Sequence, residues 1–437
     1  MKEVSYRWRI CALLFTATTI NYLDRQVLGI LKPDLALRFN WSETQYSHVV
    51  VVFALCYGAG MLLAGKLIDR IGVKAGYGLS VLVWSVASCA HALVTTTLGF
   101  GWVRALLGLS ESGSYPSAVK AISEWFPRSE QALAVGIVTA GTSIGAVAAP
   151  AVVPWLAVSY GWQAAFVVTG LTGFVWLACW QFRYAAPLAH PKVSARELAL
   201  IGANRAAPGE PEPAEAGPRP GWRELFRLRE TWTVFIGKGL TDPIWWFLLF
   251  WLPSYFSERF HLDLRNLGLP LVIVYVATSI GSIAGGWLSS ALIARGWPVQ
   301  KARQTAMLCL ALLVVPMAFA PWIDNMWVMV GLLSLSVAAH QGWSANMFTL
   351  ASDMFPKAQV ASVTGIGGLG GAIGASIFPL FVGVLLDHFR ALGNINAGYN
   401  ALFMVCGLAY VVTWVLMKFV RPSRASAPLG ESHAARA

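Results

Sequence analysis

Charge is what this chain has least of. Asp, Glu, Lys and Arg make up only 12% of its 437 residues, against 57% hydrophobic ones. A soluble chain of that length carries roughly twice that charged fraction, so the composition argues against a water-soluble globular protein. Cysteine is scarce as well. The six present (Cys11, Cys56, Cys89, Cys179, Cys309, Cys406) each fall in an apolar stretch, at no metal-ligand spacing, and read as small packing residues. There is no phosphate-cradling Walker loop, which argues against direct use of ATP, and no nucleophile elbow or other soluble catalytic constellation, which argues against an enzyme. A net charge of +11 suits nucleic acid, but no basic stripe interleaved with exposed aromatics accompanies it. The first apolar stretch is too long for a cleavable signal peptide, carries Asp24 and Arg25, and lacks a small-residue cleavage site.

What the chain does have is apolar runs of about 20 residues, each long enough to cross roughly 30 Å of hydrocarbon as a helix. They recur at 8–31, 45–67, 75–96, 98–120, 131–157 and 161–184, then at 231–256, 267–294, 303–322, 326–350, 360–387 and 397–419. With both termini in the cytoplasm, 24 of the 32 Lys and Arg fall in cytoplasmic segments. Lys32, Arg38, Arg259, Arg265 and Arg390 fall outside, and Arg25, Arg104 and Lys238 within spans. That positive-inside bias sets the orientation and accounts for the basic balance. Between the sixth and seventh runs, residues 185–230 are polar and rich in proline (Pro187, Pro191, Pro208, Pro211, Pro213, Pro218, Pro220), which disfavours a packed core. Short helical pieces are expected there near Ala195–Ala203 and Trp222–Leu228. The expectation is an all-α integral membrane protein: a six-helix bundle (1–184), a cytoplasmic linker (185–230), a second six-helix bundle (231–421) and a cytoplasmic tail (422–437).

The two halves are related. A shift of 229 residues aligns SEWFPRSEQALAVGIVTAGTSIGAVAAP (Ser123–Pro150) with SDMFPKAQVASVTGIGGLGGAIGASIFP (Ser352–Pro379), with 11 of 28 positions identical. Phe126/Phe355, Pro127/Pro356, Gly136/Gly365, Gly141/Gly370, Gly145/Gly374 and Pro150/Pro379 all match in register. Spans 4–5 therefore correspond to spans 10–11. Parallel repeats of this kind place a substrate site between the halves near the midplane and work by rocking one half against the other. The glycines let helices approach closely, and read both as packing residues and as a pivot surface. Pro116, Pro150, Pro154, Pro243 and Pro379 lie inside spans, freeing backbone groups that only protein or cavity water satisfies at that depth.

An ionisable side chain at bilayer depth costs a few kcal/mol or more and persists when paired and facing a cavity. Asp24, Arg25, Arg104 and Glu111 are such residues in the first half. Arg104 and Glu111 are seven apart, hence two turns apart on one helix face. Counting about 1.5 Å per residue puts Asp24 level with Arg104, so the two are expected to pair, and Glu111 about 10 Å nearer the cytoplasm. A carboxylate near the midplane has its charged form disfavoured by desolvation, which suits a group that takes up and releases a proton near neutrality. Lys238 and Asp242 form an i,i+4 pair in span 7. His340 aligns with Glu111 under the 229-residue shift, and Gln341, Trp343 and Asn346 come after it. Gln341 and Asn346 offer donors and acceptors for sugar hydroxyls, and Trp245, Trp246 and Trp343 an apolar surface for a sugar face. A plain structural ion-pair network and a hydrogen-bonded core histidine are the competing readings.

Between spans 2 and 3 stands Gly65-Lys-Leu-Ile-Asp69-Arg70-Ile-Gly72-Val-Lys74, which resembles the GxLxDRxGxK signature of the major facilitator superfamily. The resemblance implies the twelve-helix fold and a cytoplasmic latch in which Asp69 and Arg70 take part, with Glu124 and Arg128 as partners. AsnTyrLeuAspArgGln (Asn21–Gln26), Arg104-x6-Glu111 and Lys238 with TrpLeuPro (Trp251–Pro253) resemble the anion:cation symporter branch. The stretches Gly237–Trp246 and His340–Asn346 look most like bacterial hexuronate transporters. This likeness implies proton-coupled symport of an organic anion, a glucuronate or galacturonate first, into the cell across the bacterial inner membrane. Galactonate, tartrate or an aromatic acid are the alternative substrates, and a transporter-like sensor the alternative class. On this reading Glu111 and Asp24 carry protons, and Arg25 binds the substrate carboxylate. Tyr22, Tyr57, Lys238, His340, Gln341, Trp343 and Asn346 complete the substrate site, with Arg104 and Asp242 as ion-pair partners. Protons are the coupling ion, with no cofactor or metal, and a monomer in the bilayer is expected.

Overall fold

A backbone amide in hydrocarbon has no water to bond, so each crossing segment must satisfy its own N–H and C=O groups, and a helix does so. The computed structural model describes residues 5–202, 222–355 and 357–420, and among these there are helices, turns and no strand. Span 1 is Tyr6–Phe39. Spans 2 and 3 (Glu43–Gly65 and Leu67–Leu93) run nearly end to end and are broken at Gly72, whose φ of 80° is the left-handed turn that ends the signature loop. Span 4 is Thr97–Glu111 continued by Ser114–Trp125, span 5 Arg128–Tyr160 and span 6 Trp162–Arg183. The second half repeats the series: Arg229–Phe260, Leu264–Ala294, Val299–Val314 with a 3-10 turn Val315–Trp322, Met326–Met354, Lys357–Ala391 and Ile395–Val420. Between the halves, Ala195–Gly202 and Trp222–Leu225 are helical where short pieces are predicted. Pro208, Pro211, Pro213, Pro218, Pro220, Pro356 and the 422–437 tail lie outside the described residues.

Eight of these spans are long and apolar enough to cross a membrane on composition alone, among the described residues. The four that fall short are spans 1, 4, 7 and 10, one at the same place in each run of three. They carry Asp24, Arg25, Arg104, Glu111, Lys238, Asp242 and His340, and each contributes to the wall of the central cavity. A helix that turns polar groups toward a cavity loses mean hydropathy but not its place in the bilayer.

The aligned glycines occupy equivalent contacts. A Cβ on Gly141 or Gly145 would stand 2.6 and 2.4 Å from the carbonyl oxygens of Phe15 and Thr19 in span 1. One on Gly370 or Gly374 would stand 2.6 and 2.3 Å from those of Phe235 and Gly239 in span 7. Span 5 thus lies on span 1 as span 11 lies on span 7, which gives the duplication a physical basis. It also corrects the reading of these glycines as a pivot: their close contacts are within a half. The halves meet elsewhere, where Gly29 abuts Leu249 and Phe250, Gly268 abuts Pro150, and Gly383 abuts Ser47.

Those contacts all lie at the end of the bundle remote from Ser5 and Val420, which we call the far end. At the opposite, terminal end, the helix Ala195–Gly202 docks on the first half. The Glu197 carboxylate accepts from the backbone amides of Tyr6 (3.0 Å) and Arg7 (2.9 Å) and from the Ser5 hydroxyl, capping span 1. Burial works against its charge, but those bonds and the Arg7 guanidinium outweigh it and hold its pKa below the usual carboxylate range.

Spans 8 and 10 touch backbone to backbone at Gly281, where a Cβ would meet the Ala338 oxygen at 2.0 Å, whereas Gly286 faces open space. We predict that Gly281→Ala destabilises the protein by about 1–3 kcal/mol through overpacking and that Gly286→Ala is neutral. Thermal unfolding in detergent, with size-exclusion of the surviving monodisperse fraction, checks this; equal behaviour of the two variants would refute the packing.

Candidate functional site

A cavity of about 390 Å³ lies between the halves at mid-depth. The first half lines it with Thr18, Asn21, Tyr22, Tyr57, Ser114, Tyr115, Thr139, Thr142 and Ser143, and the second with Lys238, Asp242, Trp245, Trp246, Thr278, His340, Gln341 and Ser344. Hydroxyls, amides and aromatic faces thus surround one ammonium and one carboxylate. This is a lining suited to a small, polar, hydroxylated anion.

Directly behind the tyrosines lies a buried ion pair. Arg25 donates through Nε (3.0 Å) and Nη2 (2.9 Å) to a single oxygen, Oε2 of Glu111, and Nη2 also reaches Asn21 Oδ1 at 3.3 Å. The guanidinium carbon is 4.8 Å from the Tyr22 ring centre, 4.7 Å from Tyr57 and 5.3 Å from Phe53. Such contacts suit a desolvated guanidinium. Arg25 therefore stands behind the cavity wall, screened by the two tyrosines that line it. Oε1 of Glu111 is buried without a hydrogen-bond partner. Local sequence explains the position: Glu111 closes the first segment of span 4, and Pro116 lacks the N–H that the Ser112 carbonyl would accept in a continuous helix.

The expected Asp24–Arg104 pair does not form. Consecutive residues on a helix point about 100° apart. With Arg25 turned to Glu111, Asp24 is turned toward spans 3 and 6, where it accepts from the Ser88 hydroxyl at 3.1 Å. Arg104 donates instead to the Arg25 carbonyl at 3.2 Å and packs over the Phe53 ring, 5.3 Å from its centre. Among the described residues Arg104 Nε and Nη1 are buried without hydrogen-bond partners, and the Asp24 carboxylate faces the hydroxyls of Ser88 and Thr169. Equal depth placed these groups level but said nothing of the direction each faces.

In the second half Lys238 pairs with Asp242 at 2.9 Å and its ammonium lies 4.8 Å from the Phe348 ring centre. His340 stacks on Trp245, centroids 5.5 Å apart and planes within 5°, and Nδ1 contacts the Tyr410 hydroxyl. Gln341 lines the cavity. Trp343 and Asn346, expected in the substrate site, are elsewhere. Both are fully buried, and Asn346 Nδ2 bridges the Gly285 and Gly342 carbonyls at 2.9 Å each, tying span 8 to span 10. Asn346, six residues after His340, points about 120° away from it, whereas Trp343, three residues after, shares its side of the helix but packs edge-on against Tyr410 behind the wall, ring centres 5.5 Å apart.

The latch residues are also rearranged. Asp69 pairs with Lys120 of its own half at 2.6 Å and remains largely exposed, while Glu124 accepts from the Tyr184 hydroxyl at 2.9 Å. Arg70 is exposed, and the Arg128 side chain lies outside the described residues. Among the described residues no ion pair joins the halves at the terminal end.

The far end is closed by residues that sequence reasoning counted only as orientation charges or left out. Glu43, 2% exposed, gathers the Lys32 ammonium (2.5 Å), the Trp251 indole N–H (2.8 Å) and the Arg390 guanidinium (3.2 Å). Arg390 also reaches Glu258 at 2.7 Å. The Asp387 carboxylate caps the start of span 2 across the interface, accepting from the amides of Glu43 and Thr44 at 2.8 Å each. Spans 1 and 2 are thereby fastened to spans 7 and 11. The signal lay in the sequence as opposite charges at predicted span ends (Lys32, Glu43, Asp387, Arg390), but nothing local says that they converge.

The sequence profile described as Major Facilitator Superfamily matches residues 14–379 and 301–437. The chain is 28% identical over 418 residues to the hexuronate transporter of Escherichia coli (strain K12), covering 94% of each. It is 29% identical over 282 residues to the galacturonate transporter of Dickeya chrysanthemi, covering 64% of this chain and 81% of that one. Among solved structures, a bacterial homologue of the human lysosomal transporter Spinster, inward-facing and unoccupied, matches with a TM-score of 0.74 at 17% identity over 96% of both chains. That likeness concerns the fold.

Removing one member of a buried pair typically costs 3–5 kcal/mol, because the other charge is left without a partner. Glu43→Ala strands Lys32, which regains water if the far end opens. Spin labels at the exposed positions Leu37 and Leu392, read by double electron–electron resonance, are expected to gain a longer-distance population in that variant. An unchanged distribution would show that Glu43 does not hold this end shut.

Proposed function

Because the chain belongs to the Major Facilitator Superfamily, we propose that it carries a sugar acid, a hexuronate such as glucuronate or galacturonate, across the membrane together with protons. Membership makes it a multi-pass membrane transport protein and not an enzyme. The observation that carries the finer reading is the buried Arg25–Glu111 pair directly behind a polar cavity. A guanidinium that binds a carboxylate here at 2.9 Å can bind a substrate carboxylate in the same manner once the first is neutralised. Protonation of Glu111 removes the charge that holds Arg25 and frees it to turn toward the cavity past Tyr22 and Tyr57. A proton and an anion then bind together or not at all. Asp24, in its own buried pocket beside Ser88, serves as a second proton site, and Arg104 holds the backbone of Arg25 in place.

From the opposite half, Lys238 meets the anion or its hydroxyls when it leaves Asp242, and His340 and Gln341 take further hydroxyls. A ligand gripped from both halves draws them together, which is how occlusion results from binding. The basic bias of the loops puts the terminal end in the cytoplasm. The cavity then opens inward, and Glu43 with its partners forms the outer gate. The names of the relatives at 28% and 29% identity support a sugar acid as the carried anion. A relative described as a D-galactonate transporter, 24% identical over 411 residues, keeps an aldonate as the second reading.

Proteoliposome uptake of radiolabelled glucuronate under an imposed inward-acid pH gradient tests the proposal, with galacturonate, galactonate and tartrate as unlabelled competitors. Uptake is expected to rise with the gradient and to be blocked by the hexuronates; a flat response to the gradient would rule out symport. Glu111→Gln is expected to abolish uphill accumulation while leaving counterflow. Retained accumulation in that variant would remove Glu111 from the proton path.

A further inference from the structure

The Tyr410 hydroxyl sits at the back of the cavity wall, fully buried, between two groups. His340 Nδ1 is 2.5 Å away and the Thr241 carbonyl oxygen 3.4 Å away. A phenol has one proton to give, and a carbonyl only accepts. Both contacts are hydrogen bonds in one arrangement alone: Tyr410 donates to the Thr241 oxygen, and a protonated Nδ1 of His340 donates to Tyr410. The bond made at one ring nitrogen decides the state of the other, so Nε2 is left as the unprotonated nitrogen. Neighbours fix the plane of the His340 ring. It is stacked face to face on Trp245 at 5.5 Å and set edge-on to Tyr410 at 6.0 Å and 83°.

Nε2 makes no hydrogen bond among the described residues. Unlike Nε2 of His91, it is not sealed in the interior, and His340 belongs to the cavity lining. The one carboxylate on this wall, Asp242, is held by Lys238, and a lysine offers protons only. Thr278, Gln341 and Ser344 on this wall can each donate or accept, whereas Nε2 of His340, with the proton on Nδ1, can only accept. We propose that Tyr410 is a positioning residue that locks His340 with its proton on Nδ1, so that Nε2 accepts a hydrogen bond from a hydroxyl of the carried sugar acid. The identity of the ligand rests on the sugar-acid reading above; the proton position on His340 does not. The consequence is selection. A ligand with a free hydroxyl at that point satisfies Nε2, and one with the hydroxyl deleted leaves a desolvated acceptor unmet.

Two measurements on the full-length protein in lipid test this. In protein labelled with 15N-histidine, the difference between wild type and His340→Gln isolates the His340 signals. A protonated Nδ1 with a bare Nε2 is expected, and Tyr410→Phe should abolish that pattern. A protonated Nε2 in the wild type would overturn the proposal. In competition binding against labelled glucuronate, the parent sugar acid should exceed one of its monodeoxy derivatives by about tenfold, the size one hydrogen bond carries. Tyr410→Phe should lower the parent to the level of that derivative and leave the derivative unchanged. An equal loss for all ligands would mean that Tyr410 only supports the fold, and no loss would mean that it does not position His340. If no sugar acid binds the wild type, the sugar-acid reading falls, and the histidine spectrum alone decides the proton position.

Discussion

An ion taken out of water costs several kcal/mol unless a counter-charge or a set of hydrogen bonds meets it, and the interior of this protein is arranged around that constraint. Arg25 is met by Glu111, Lys238 by Asp242, and Lys32 with Arg390 by Glu43. The first two pairs border the cavity, and the third bolts the far end. Each joins separate helices or successive turns of one helix, so a change in any of them is felt as a change in how helices sit against one another. Neutralising one partner of such a pair would leave the other buried and unmatched, which is why the proposed mechanism places its protons there.

The two kinds of pair have different geometry, and the difference suits different work. Glu111 meets Arg25 through one oxygen and leaves the other without a partner. The carboxylate is therefore less fully satisfied than its burial would lead one to expect. Glu43 is met on both oxygens by three donors from three spans, and its backbone amide is capped by a fourth side chain, Asp387. The first is the pair that the proposed mechanism breaks with one proton. The second holds one conformation of the whole molecule and gives way only when the halves separate. Glycines let span 5 lie on span 1, and span 11 on span 7, so each half is closely packed within itself.

Much of the fold was legible because the bilayer enforces it. A run of about 20 apolar residues has one way to satisfy its backbone, so the twelve spans and the duplication could be read without a structure. Spans 1, 4, 7 and 10 stood out because polar groups that face a cavity depress their hydropathy. The cost of charge at bilayer depth singled out Arg25 and Glu111, which the structure places as a pair behind the cavity, and Lys238, which it places on the cavity wall. The failures share one cause. Asp24 and Arg104 were matched by depth, and Trp343 and Asn346 by proximity in sequence to His340, yet all four meet other partners. Periodicity gives the angle between residues on one helix but not the rotation of that helix against its neighbours. Glu43 and Tyr410 were missed for the same reason: each matters through partners on other helices, Trp251 and Arg390 for the first and His340 for the second.

By itself, then, the sequence determined that the chain crosses a membrane in two related bundles, which spans carry costly charges, and which loops bear the basic residues. Those are properties of local composition acting against a uniform solvent, and they need no knowledge of neighbours. Only the tertiary structure decided which charges meet, that the halves are fastened together at the Glu43 end, and which atoms of Arg25 and His340 are engaged. Those are set by the rotation and tilt of helices packed against one another. That packing energy is shared among hundreds of side-chain contacts and is written at no single position of the chain.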